Sequence, residues 1–64
     1  MKNAVRELRQ LHRWTQQELG ERVGASRQAI IAIENGRFDP SLPLAIKLSR
    51  VLKKPIEEIF FLDE

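Results

Sequence analysis

The stretch "TQQELGERVGASRQAIIAIENG", Thr15 to Gly36, decides how the rest of the chain is read. It holds two short amphipathic segments with only a few residues between them. Thr15 is a good N-cap, and Glu18, three residues on, completes the spacing of a capping box. Leu19 and Val23 recur at helical spacing, and Gly24 closes the segment. Ser26 is a second hydroxyl N-cap. The helix it opens runs to Asn35, before Gly36, which suits the first position past a helix end. One long helix would be more stable than two clipped ones, so the break at Gly24 needs a reason. A tight turn between helices requires a residue that accepts positive φ at little cost. Gly20, one turn earlier, leaves the first helix without a side chain where the second must cross closely. Glycine there costs about 1 kcal/mol of helix propensity relative to alanine, which a close crossing justifies. The break turns the second helix away so that its outer face projects.

At about 100° per residue, Ala29, Ile30 and Ile33 fall together on that second helix and can pack inward. Arg27, Gln28, Ile31, Ala32 and Asn35 fall on the other side. The outer set carries a guanidinium, amides and small or apolar groups, with no acid among them. Arginine can pair bidentately with guanine, glutamine with adenine, and an aliphatic side chain can touch a thymine methyl. Ile31 serves either as such a methyl contact or simply as an exposed apolar residue.

The chain has 64 residues, enough for one domain and close to the lower limit for folding without staples. It has no cysteine, which excludes disulfides, thiolate metal sites and thiol catalysis. His12 is the only histidine and has no second ligand at useful spacing, so neither a metal nor a cofactor is expected. Nothing clusters the carboxylates, lysines and hydroxyls that an enzyme would have to use. No apolar run approaches the roughly 20 residues needed to span a membrane, and the N-terminus lacks the layout of a signal peptide. The expectation is a cytoplasmic, non-enzymatic protein with no membrane partner.

The net charge of +2 hides an asymmetry. All 11 Lys and Arg lie in residues 1–54 beside five acids, whereas residues 55–64 carry four acids and no base. A basic body suits an anionic partner, and the acidic tail a different task.

Elsewhere the periodicity is helical. A first helix is expected over Asn3 to His12, with Ala4, Val5, Leu8, Leu11 and His12 on one face. After the loop "RFDPSLP", a fourth helix opens near Ser41 and Pro43 and carries Leu44, Ala45, Leu48, Val51 and Leu52. Pro55 starts a last short helix with Ile56, Ile59 and Phe60 on one stripe. The fold class is therefore all-α, a compact five-helix domain over residues 1–64.

"TQQELGERVGASRQAIIAIENGR" closely resembles the helix-turn-helix of the Cro/C1-type repressor family (Xre-like regulators), with the motif at about 16–35. Gly20, Gly24 and the apolar Leu19, Val23, Ile30 and Ile33 occupy the positions that pattern expects. The following "SLPLAIKLSRVLKKPIEEIF" is also typical. The resemblance implies a five-helix domain that binds double-stranded DNA, usually as a homodimer on two half-sites. It implies base contacts from Ser26, Arg27, Gln28, Ile31 and Ala32. Gln16, Asn35 and Arg37 match phosphate-contacting positions. Arg9 and Glu34 match an ion pair tying the first helix to the third, with Arg9 near a phosphate. Ile31 departs from the family, which often has a polar residue there, and Trp14 stands where leucine is common.

The expected function is a transcriptional regulator, a repressor, reading the major groove with residues 27–35. An alternative from another class is an antitoxin-like module that neutralises a protein partner and binds DNA secondarily, with the acidic, apolar tail as its contact. Phe60, Phe61 and Leu62 divide between closing the core and forming a dimer interface.

Overall fold

Helices start where hydroxyl caps stand. In the computed structural model, which describes residues 1–63, α2 (Gln16–Val23), α3 (Arg27–Glu34) and α4 (Leu42–Leu52) are each preceded by such a cap. The side chains of Thr15, Ser26 and Ser41 accept from the backbone N–H of Glu18, Ala29 and Leu44. At Thr15 the capping box is complete, because the Glu18 carboxylate accepts the Thr15 N–H in return at 2.8 Å. These bonds from the Thr15 backbone and hydroxyl hold the exposed Glu18 carboxyl below its ordinary pKa.

Four helices end through residues in the left-handed region. Two are the expected glycines, Gly24 and Gly36; the other two are Arg13 and Lys53, both at φ 59°. At α3 the Gly36 N–H bonds the Ile33 carbonyl and the Arg37 N–H reaches back to Ala32, a complete Schellman closure.

Both ends of the chain differ from the sequence expectation. α1 spans Val5–Leu11 and α5 only Ile56–Ile59. Residues Lys2–Asn3 form β1 and Phe60–Phe61 form β2, an antiparallel pair with Lys2 opposite Phe61 and Asn3 opposite Phe60. The fold is thus five helices with one two-stranded ribbon. Asn3 is drawn out of the expected helix by its own amide. Its Oδ1 accepts the Val5 N–H at 3.1 Å, while its Nδ2 donates to the Ile33 carbonyl at 2.8 Å. Phe60 leaves the expected helical stripe for extended backbone, and the Ala4 N–H closes the ribbon onto the Ile59 carbonyl at 2.8 Å.

The core joins Val5 of α1, Leu19 and Val23 of α2, Ile30 and Ile33 of α3, Leu48 and Leu52 of α4, and Ile59 of α5. Leu11, expected inward, is 78% exposed. The wheel explains it: Val5, Leu8 and His12 span about 60°, whereas Leu11 lies about 120° from Val5. Trp14 is half-buried and packs against the core edge. The His12 ring stacks on it at 4.4 Å and the Arg22 guanidinium sits 4.2 Å from its centroid.

Candidate nucleic-acid interface

The turn between α2 and α3 is set by two glycines doing different things. Gly24 sits at φ 71° with open space where a side chain would project. Gly20 is buried, and a Cβ there would lie 2.5 Å from the Ala25 carbonyl oxygen and 3.6 Å from Ile30 Cγ1. The closest approach is therefore to the backbone of the turn, with helix α3 next. The Ala25 N–H bonds the Gly20 carbonyl at 2.9 Å and locks the arrangement.

So held, α3 exposes Ser26, Arg27 and Gln28 at its start and Asn35 and Arg37 just past its end. The Ser26 oxygen is used as the cap, which leaves its O–H available as a donor. Ile31 and Ala32 are half-buried rather than fully outward. The one acid of α3, Glu34, does not share this face: its side chain is 0% exposed. The outer surface of the helix therefore carries donors and positive charge without a carboxylate.

Glu34 is the hub of a network joining three helices. Arg9 of α1 donates to it through Nε at 2.7 Å and through Nη2 at 3.2 Å, a two-pronged pair, and its Nη1 donates to the Trp14 carbonyl at 2.9 Å. Gln16, the first residue of α2, donates Nε2 at 3.1 Å. Arg6 of α1 adds its Nε at 3.5 Å and gives Nη2 to Asn35 Oδ1 at 3.0 Å. Burial would raise the Glu34 pKa, but the bonds from Arg9, Gln16 and Arg6 and the charge of Arg9 outweigh it. The carboxyl is held below its ordinary value. The three-residue spacing places Arg6 and Arg9 on one helical face, but nothing in the sequence ties Arg6 to Glu34 or Asn35. The structure thus gathers Arg9, Gln16 and Glu34 at one junction beside Asn35, while Arg27 and Gln28 stand at the opposite end of α3.

No set of described residues could hold a metal ion. Among the described residues, no helix is long and apolar enough to cross a membrane. Away from α3, an open apolar groove of about 530 Å³ runs between Pro40, Ala45, Ile56, Phe60, Phe61 and Leu62.

Two short capped helices around a glycine turn, the second offering its outer face from a small helical core, define a helix-turn-helix module. The family model described as helix-turn-helix matches residues 5–59. The chain is 47% identical over 64 residues to an uncharacterized HTH-type transcriptional regulator of Methanocaldococcus jannaschii, covering all of this chain and 97% of that one. A second such regulator, from Methanothermobacter thermautotrophicus, is 52% identical over 65 residues, covering 100% and 94%. The HTH-type transcriptional regulator YgzD of Bacillus subtilis is 45% identical over 64 residues, covering 100% and 97%. The chain belongs to the helix-turn-helix family of Cro/C1-type transcriptional regulators.

Proposed function

We propose that this chain is a cytoplasmic, sequence-specific regulator that binds double-stranded DNA by placing α3 in the major groove. The observation that carries the reading is the exposed Arg27–Gln28 pair at the start of α3, on a helix whose one carboxylate is masked. Arginine and glutamine match guanine and adenine edges, and Ile31 and Ala32 offer apolar contact to a thymine methyl. Ser26 stands at the groove edge. Arg9, Gln16, Asn35 and Arg37 supply phosphate contacts, which give most of the affinity, while the first turn of α3 gives most of the specificity. Repression by occupying the site is the mode that asks nothing of the chain beyond tight binding.

Selection from a random duplex pool tests this, and a palindromic consensus is expected. On the best site, Arg27→Ala is expected to cost about 1–3 kcal/mol and to flatten preference at one base position. Gln16→Ala should weaken cognate and random duplexes alike. Parallel losses on both duplexes for both variants would show that α3 does not read bases.

The reading includes a homodimer through the C-terminal segment. Phe61 is 42% exposed and Leu62 is 72% exposed, and both line the apolar groove. Phe60 is half-buried and divides its surface between core and groove. Covering these groups with a second copy removes apolar surface from water at about 25 cal/mol per Å². A two-fold assembly would set the recognition helices about 34 Å apart, one turn of duplex. Phe61→Ser with Leu62→Ser should then give a folded monomer that binds a full palindrome much more weakly and a half-site almost unchanged. Sedimentation showing the parent monomeric at micromolar concentration, with and without DNA, would rule the interface out.

A further inference from the structure

Asn35 occupies the C-cap of α3 and is exposed. Its Oδ1 accepts Arg6 Nη2 at 3.0 Å. An arginine has only donors to offer, so the bond forms in one of the two amide orientations and the other sets donor against donor. Arg6 is itself steadied. Its Nε lies 3.5 Å from Glu34 Oε1, and Glu34 is clamped by Arg9 and Gln16. The Asn35 nitrogen is thereby left with both N–H groups turned away from Arg6, and no described residue accepts from it.

The electrostatics of this corner say what such a donor meets. The C-terminal end of a helix carries partial negative charge and on its own repels an anion. Here Arg6, Arg9 and Lys2 outnumber the carboxylates of Glu34 and Asp63, so the corner is net positive despite the dipole. Arg37 adds an exposed cation two residues on. A fixed amide donor in a net positive corner suits a phosphate oxygen.

We propose that Arg6 is a positioning residue: it orients Asn35 so that the amide N–H groups point outward to donate to a backbone phosphate. The proposal rests on the DNA-binding reading above. Its action is through Asn35, and Arg6 itself need not reach the phosphate.

The test has two arms, both on the full chain. Without DNA, the order parameter of the Asn35 side-chain amide is measured by nitrogen-15 relaxation in the parent and in Arg6→Ala. It is expected to be high in the parent and to fall in the variant, with thermal stability nearly unchanged because Arg6 is half-exposed. With a mixed-sequence duplex as probe, Arg6→Ala should weaken binding about tenfold in the parent, the size of one charge-assisted hydrogen bond, and less than threefold in an Asn35→Ala background. An unchanged order parameter, or the same loss in both backgrounds, would overturn the proposal while leaving DNA binding intact. A parent that binds no duplex at all would instead overturn the DNA-binding reading on which it rests.

Discussion

Gly20→Ala is expected to destabilise the protein by about 3 kcal/mol or more, the upper end of what overpacking a tight site costs. The added methyl carbon would lie 2.5 Å from the Ala25 carbonyl oxygen. That oxygen belongs to the backbone of the turn, so no flexible side chain can swing clear. Alanine's better helix propensity returns only about 1 kcal/mol. Gly24→Ala is the control. Nothing lies within 4 Å of its would-be Cβ, and the cost is the left-handed backbone alone, about 1–2 kcal/mol. Urea unfolding with unchanged slope measures both. Equal losses at the two glycines would mean that the turn gives way and that close approach does not govern residue 20. A further consequence is functional. A shifted Ala25 moves the start of α3, so Gly20→Ala protein that still folds should lose affinity for the preferred site.

Glu34→Ala is expected to cost about 2–4 kcal/mol, because Arg9, 11% exposed on its side chain, is left buried without its partner. Arg9→Ala strands the carboxylate in the same way, although Gln16 and Arg6 still donate to it. The double variant should cost less than the sum of the two single changes, with a coupling of about 1–3 kcal/mol in a double-mutant cycle. Additive losses would show that the two charges act independently. The same pair sets an acid limit on stability. The folded Glu34 pKa lies below its unfolded value, so the folded state holds the proton less readily. Its contribution is fully present above the unfolded carboxylate value of about 4.3 and is lost as pH falls through the depressed folded value. A Glu34→Gln protein should therefore be less stable than the parent at pH 7, and the gap should narrow on acidification. A gap that stays constant down to pH 2 would show that the carboxylate's charge does not contribute.

Much of this fold is legible in the chain because its signals are local. Thr15, Ser26 and Ser41 mark helix starts through bonds to residues three positions on. Gly24 and Gly36 mark ends through their own φ. The inward residues of α2, α3 and α4 follow from a period that each helix carries within itself. Arg13 and Lys53 end helices in the same left-handed geometry without announcing it, since neither residue type prefers that region.

Legible in the chain alone are the helix-turn-helix, the exposed Ser26, Arg27 and Gln28 at the start of α3, and the family to which the chain belongs. These depend on contacts within a turn or two. Packing between distant elements settles that Asn3 leaves the first helix to hold the Ile33 carbonyl and that Phe60 pairs with it as a strand. It also settles that Arg6 joins Arg9 and Gln16 on Glu34 and reaches Asn35, across 18 to 29 residues of chain. The physical reason is common to all of these. A side chain's partner at long sequence separation is chosen by where other helices pack, and neither propensity nor period carries that information.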